Sequence, residues 1–201
     1  MHSVWHQGTR QALLGLAACA ALAAEAPQIG FQAVGSWPTG SMRSEFTRDN
    51  GYGVGVYGGW EAAPGKVVRL AWDGIWYSGS AQAPGAGIPA GDLVAVDDRK
   101  SRSHLVTLQY LLFPSGDDEG VYYKVGLGAM NCLTRGRATA LFQNGQRATV
   151  DVVDETGTKL ATVAGIGYEF GRNWGVLAQY SFITVNNRTL GAVQAGISYR
   201  F

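Results

Sequence analysis

The chain ends on Leu190-Gly-Ala-Val-Gln-Ala-Gly-Ile-Ser-Tyr-Arg-Phe201, and this stretch decides the fold. Every second residue from Val193 onward is apolar: Val193, Ala195, Ile197, Tyr199, Phe201. The residues between them are Gln194, Gly196, Ser198 and Arg200. A repeat of two is the repeat of a β-strand with one apolar face. The preceding run repeats it, with Trp174, Val176, Ala178, Tyr180 and Phe182 set against Gly175, Leu177, Gln179 and Ser181. Working back toward the N-terminus gives eight such runs, at about 27–37, 51–61, 66–78, 103–113, 121–133, 158–170, 174–185 and 190–201. The segments between them alternate in length. Long ones at 38–50, 79–102 and 134–157 alternate with short ones at 62–65, 114–120 and 171–173, and only the last connection on the long side, 186–189, is short. The short segments are breaker clusters suited to tight reversals: Ala62-Ala-Pro-Gly65, Pro114-Ser-Gly-Asp117, Gly171-Arg-Asn173.

The two faces of these runs differ in kind. One carries Ile29, Phe31, Tyr52, Val54, Val56, Val68, Leu70, Trp72, Val106, Leu108, Tyr110, Val121, Tyr123, Val125, Leu127, Leu160, Ile166 and Tyr168. The other is read as polar, charged or glycine, with Gln28, Gln32, Glu61, Arg69, Asp73, Tyr77, Thr107, Gln109, Tyr122, Lys124, Lys159, Glu169, Gln179 and Arg200. An uncharged face on every strand, opposed to a face holding both charge signs, fits lipid outside and polar side chains inside. Eight is the smallest even strand number for a single-chain membrane barrel, and alternating short turns and long loops are the asymmetry of an outer-membrane barrel. The sequence therefore predicts an all-β protein, an eight-stranded antiparallel up-and-down transmembrane β-barrel. Aromatics near the strand ends, Trp37, Trp76 and Phe182 on one side and Trp60, Phe170, Trp174, Tyr199 and Phe201 on the other, suit interfacial girdles. The alternative is a soluble lipocalin-like barrel with the apolar face turned inward around an apolar ligand.

Composition agrees. The 201 residues include 29 glycines, and 16 basic against 15 acidic residues leave a net charge of +1. No basic field is available for nucleic acid. The first stretch is set apart: Met1–Arg10 is positively charged, Gln11–Ala24 is apolar and small, and Ala21-Leu-Ala23 is an A-x-A cleavage pattern. Residues 1–24 read as a secretory signal peptide and 25–201 as the barrel, since fourteen residues are too few to span a membrane as a helix. A rival reading takes Leu16-Ala-Ala-Cys19 as a lipobox with Cys19 acylated. Without Cys19, Cys132 is the only thiol and no intrachain disulfide can form.

Ile29-Gly-Phe-Gln-Ala33, Gly51-Tyr-Gly-Val-Gly-Val-Tyr57, Tyr122-Tyr-Lys-Val-Gly-Leu-Gly-Ala129, Val163-Ala-Gly-Ile-Gly-Tyr-Glu-Phe170 and Ile197-Ser-Tyr-Arg-Phe201 resemble the small outer-membrane β-barrel proteins grouped with the OmpA membrane domain and OmpX. The resemblance spans essentially all of the mature chain. It implies a location in the bacterial outer membrane, contact with its lipids and lipopolysaccharide, and a terminal Ile197, Tyr199, Phe201 signal read by the barrel-assembly machinery. One departure from that pattern is expected: nothing follows Phe201 in the sequence, so the peptidoglycan-binding domain that follows the barrel in full-length OmpA is expected to be absent.

The chemistry-bearing residues point away from catalysis. Lipid-modifying barrels need a nucleophile with a base in reach. His104, the one histidine after the leader, has the parity of the lipid-facing residues, whereas Ser103 has the opposite parity. Cys132 and His104 are isolated, no metal-ligand spacing occurs, and no cofactor motif is present, since the Gly-x-Gly pairs at 53–55, 126–128 and 165–167 precede no helix. The expectation is a non-enzymatic protein, with a lipid-modifying enzyme as the third reading. An eight-stranded interior is just wide enough for side chains. Glu61, Arg69, Asp73, Lys124, Glu169 and Arg200 are therefore expected to form an internal network that plugs the lumen; a narrow channel for small or apolar solutes is the alternative. Outside, Arg137–Phe142 and Arg147–Val153 flank Gln143-Asn144-Gly145-Gln146, a strong hairpin signal. A projecting ribbon including Phe142, Asn144, Gly145, Val150 and Val152 is expected there, suited to an extracellular protein partner in an adhesion-like role or else to shielding the rim. The 79–102 loop reads as flexible. A monomer is expected.

Overall fold

The computed structural model describes residues 28–43, 50–80, 94–141, 147–155, 157–185 and 188–201. The signal peptide assigned to residues 1–24, with Cys19, lies outside them. Nine strands follow one another: β1 (Gln28–Thr39), β2 (Gly51–Ala63), β3 (Lys66–Ser80), β4 (Val94–Leu112), β5 (Gly120–Leu141), β6 (Arg147–Glu155), β7 (Lys159–Phe170), β8 (Trp174–Val185) and β9 (Arg188–Arg200). All pairings are antiparallel between chain neighbours except two. β5 is long enough to pair twice, its first half with β7 (Gly120↔Glu169 to Met130↔Lys159) and its second with β6 (Leu133↔Glu155 to Leu141↔Arg147). β9 returns to β1, from Gly30↔Arg200 to Thr39↔Gly191. Eight strands thus close into a barrel, and β6 stands above the wall as a ninth.

The sidedness excludes the soluble alternative. Ile29, Tyr52, Val56, Val125, Leu127 and Leu160 are all more than half exposed on the outer surface, whereas Arg69, Asp73, Lys124 and Glu169 are buried at 2% exposure or less. An apolar surface surrounding buried charges is the arrangement of a barrel in lipid.

Two expectations need correction. The inner face is not polar throughout: Ile75, Leu105, Met130, Cys132, Val163 and Ile183 form an apolar cluster in the outer half of the lumen, capped by Met42. A second cluster of Val67, Leu111, Phe113 and Tyr122 occupies the periplasmic half. The segment 79–102 is not wholly loop either, because β4 starts at Val94 and pairs with β5 up to Val94↔Leu141.

Glycines shape the interior by standing opposite rings. Gly30 faces Tyr57, Gly51 faces Tyr77 and Gly167 faces Tyr122 across neighbouring strands. In each case the ring covers the place where a Cβ would stand. This lets a bulky aromatic lie flat across the wall inside a narrow barrel. At the short reversals Gly65 (φ 67°) and Gly171 (φ 62°) supply the left-handed backbone the turns require.

Candidate functional site: the closed lumen and the projecting sheet

Polar side chains share the interior with the two apolar clusters, at inward-facing positions of several strands; Glu169, opposite Gly120, stands at the periplasmic end beside the cluster that holds Tyr122. The Arg69 guanidinium of β3 sits 3.9 Å over the Tyr57 ring, and its Nη2 is 3.6 Å from Glu169 Oε1 of β7, both side chains being buried. Asp73 accepts a hydrogen bond from the Gln32 amide of β1. Lys124 of β5 donates to Gln179 of β8, and Gln179 donates in turn to Gln194 of β9. Gln194 donates to Ser181 Oγ at 3.0 Å. Buried charges are tolerated when paired and hydrogen-bonded and are very costly otherwise. The amides tie β1 to β3, β5 to β8 and β8 to β9, and give Asp73 and Lys124 hydrogen-bond partners inside the barrel.

Of the six residues singled out from the sequence, Arg69 and Glu169 form an ion pair, while Asp73 and Lys124 are held by glutamines. Glu61 and Arg200 lie elsewhere. Glu61 is exposed at the point where the register shifts at the end of β2, and it accepts from the Gly65 amide at 3.3 Å, within the turn. Arg200 closes the periplasmic mouth, its Nη1 2.7 Å from Asp118 Oδ2 and 3.1 Å from Gln28 Oε1, and its Nε 2.8 Å from the Arg172 carbonyl. Asp118, in the turn between β4 and β5, is therefore a partner of the barrel terminus. Met42 is equally invisible to sequence reasoning; the turn that follows Gly40 (φ 54°) carries it to 1% exposure.

His104 faces outward and stacks on Trp72 at 5.8 Å, while Ser103 is buried on the other face. Among the described residues no group of three or more His, Cys, Asp or Glu is placed to hold a metal ion.

At the seam, the Phe201 amide donates to the Ile29 carbonyl at 2.9 Å. The Phe201 ring lies 5.4 Å from Tyr199 and 6.0 Å from Phe31, and Tyr199 is 4.9 Å from Trp174. Ile197, on the same outer face, is half exposed and opposite Ala33.

On the outer side β4, β5 and β6 form a projecting three-stranded sheet, in place of the expected two-stranded ribbon. Val150 pairs opposite Ala138 and Val152 opposite Gly136; Phe142, Asn144 and Gly145 lie outside the described residues. Arg137 and Asp151 form an exposed ion pair at 3.6 Å.

The whole of this wall, from before the first described strand to the terminal Phe201, matches one protein family: the outer membrane protein beta-barrel domain, over residues 11–201. The chain belongs to that family. It is a bacterial outer-membrane protein, with a lipid-facing barrel and a surface side. No curated protein sequence matches it. Among solved structures it is similar to a major outer membrane protein of Thermus thermophilus, at 13% identity and a TM-score of 0.55, covering 88% of this chain and 100% of that one. It is also similar to Ail, the attachment invasion locus protein of Yersinia pestis, in complex with the heparin analogue sucrose octasulfate, at 17% identity and a TM-score of 0.50, over 87% of this chain and 97% of that one. These likenesses concern the fold.

Proposed function

We propose that this family member is a non-enzymatic barrel whose lumen is closed by its own side chains and whose projecting sheet acts at the cell surface, in an adhesion-like or other interaction role. The observation that carries the first half is the filling of the lumen. An apolar cluster capped by Met42, the Lys124–Gln179–Gln194 chain, and at the periplasmic end an apolar cluster around Tyr122 beside the Arg69–Glu169 pair together occupy the interior. Solutes would have to displace all of them.

The second half is supported by β6, which among the described residues pairs with β5 alone. Its other edge carries backbone groups able to receive a strand from an extracellular protein partner. The Ail comparison gives a barrel of the same fold from a protein named for attachment and invasion. Planar-bilayer recording of the refolded protein is the test. A silent bilayer is expected, and a steady reproducible conductance would replace the closed barrel by a narrow channel. For the surface role, excision of residues 138–150 with a short Asn-Gly closure should abolish partner capture while leaving the barrel heat-modifiable on a gel.

A further inference from the structure

We infer that Asp118 is a latch on barrel closure, a carboxylate at the periplasmic mouth that joins both edges of the β1–β9 seam and can do so only when the barrel is shut. In the ring β1-β2-β3-β4-β5-β7-β8-β9, four strands lie between the seam and the β4–β5 turn whichever way they are counted. Asp118 belongs to that turn, half the circumference from the seam. Its Oδ2 nevertheless accepts from both sides of the seam, from Arg200 Nη1 of β9 at 2.7 Å and from Gln28 Nε2 of β1 at 3.2 Å. Arg200 Nη1 also donates to Gln28 Oε1 at 3.1 Å, so the three side chains form a closed triangle. Its members are 82, 90 and 172 positions apart along the chain, and no local folding event brings them together.

The local structure is built to reach that far. The other two reversals on this side take up only 64–65 and 171–173, whereas the β4–β5 turn runs from 113 to 119. Its start folds inward, with Phe113 buried against Tyr122 at 5.2 Å between ring centroids, and the Ser115 hydroxyl donates to the Glu119 carbonyl at 3.1 Å. Gly116 (φ 82°) and Gly120 (φ 94°) supply left-handed backbone at its bends. Of the three turn acids, Asp117 and Glu119 are exposed and Asp118 is half-buried. From the opposite side the β7–β8 turn aims Arg200: its Nε donates to the Arg172 carbonyl at 2.8 Å, and the Asn173 amide donates to the Arg200 carbonyl at 2.7 Å. The order of events follows from the geometry. An open, flat sheet of eight strands holds its first and last strands roughly 34 Å apart, at seven steps of about 4.8 Å, and no side chain of the β4–β5 turn touches both. Seam pairing brings Gln28 and Arg200 together and so meets the loop-closure entropy of the triangle in advance. Once made, the triangle has to break before the seam opens, so it slows opening without speeding closure.

The test compares the full protein with its Asp118→Ala variant, by hydrogen–deuterium exchange in nanodiscs and by folding kinetics in detergent. The variant should exchange its paired β1 and β9 amides about ten-fold faster, the factor that roughly 1.4 kcal/mol gives, while amides in the middle of β3 stay as they are. A residue that only shapes its own turn would loosen the ends of β4 and β5 and leave the seam alone, and that result overturns the proposal. In urea, followed by heat-modifiable gel mobility, the variant should unfold about ten-fold faster and refold at the parent rate. Slower refolding with unchanged unfolding overturns the latch, and so does failure of the variant to fold in detergent, because a contact made after closure is not needed to reach closure. The D118A/R200A double variant should exchange its seam amides no more than about three-fold faster than D118A alone, since the second substitution removes a partner already lost. Effects of the two substitutions that simply multiply would mean that the side chains act separately, and would also overturn the proposal.

Discussion

Glu169 and Arg69 are the residues on which the closed lumen depends most directly. Each is buried, and each is the other's only oppositely charged partner among the described ion pairs. Glu169→Ala leaves a guanidinium uncompensated in the interior and should cost about 3–5 kcal/mol. Replacing both, Arg69→Met with Glu169→Leu, should recover most of that loss, because the desolvation cost of both charges disappears with them. Urea titration in detergent, followed by the shift between folded and unfolded gel mobility, measures both. Gly30→Ala and Gly167→Ala probe packing at the same scale: each Cβ would occupy the site of the Tyr57 or Tyr122 ring, and overpacking of this kind costs about 1–3 kcal/mol. Glu61→Ala, at an exposed turn, should change stability by less than about 0.5 kcal/mol. The contrast between Glu61 and Glu169 also shows what sequence can tell about a site. Alternation assigns a side chain to a face, and it puts Arg69, Asp73, Lys124 and Glu169 inside. It says little about height along the axis, so Glu61 and Arg200 group with the lumen in the sequence although they sit at the mouth. Nor does it show which neutral amides will meet a charge, since Gln32, Gln179 and Gln194 acquire their roles only through the register of neighbouring strands.

At the level of elements, the membrane-spanning strands are legible and the projecting ones only partly so, for one physical reason. Within lipid every strand must present an apolar face outward, and that requirement writes a period of two into the chain. Above the lipid it lapses. Val94–Arg102 reads Val-Ala-Val-Asp-Asp-Arg-Lys-Ser-Arg, with no sustained alternation, yet it pairs with β5 throughout. The Asn-Gly signal recovers β5 and β6 through turn chemistry, a source of information independent of the membrane. Met42 escapes because a single residue folded over a lumen leaves no periodic trace. The same division predicts dynamics. Among the described residues β6 has one paired edge and β7 has two, so β6 amides should exchange with solvent much faster than those of β7. Hydrogen–deuterium exchange in nanodiscs measures this directly. Protection of β6 equal to that of β7 would mean that a further strand covers its free edge.

For the whole molecule the decisive contact joins the two ends of the described chain. β9 and β1 pair from Thr39↔Gly191 down to Gly30↔Arg200, and Phe201 adds the bond to Ile29. An unclosed sheet would leave two edges of backbone polar groups in hydrocarbon, each group costing several kcal/mol. Closure is therefore all or none, and the intact barrel should run anomalously on a gel unless boiled, because detergent at room temperature cannot open one seam without opening the ladder. Against that cooperative energy Phe201 contributes little: one terminal hydrogen bond and a ring that is 77% exposed. Its deletion, or Phe201→Asp at the interfacial end of the strand, should thus alter the stability of an already folded barrel by only about 1 kcal/mol. In cells the expected effect is much larger. If Ile197, Tyr199 and Phe201 are the surface by which the assembly machinery takes hold of β9, the variant chain accumulates in the periplasm, sensitive to protease, although the same chain refolds in detergent with normal heat-modifiable mobility. Comparing the two measurements on one variant separates recognition from stability. Wild-type levels of the deletion variant in the outer membrane would show that seam pairing alone suffices for insertion. Failure in detergent as well as in cells would show that Phe201 holds the seam and does not merely mark it.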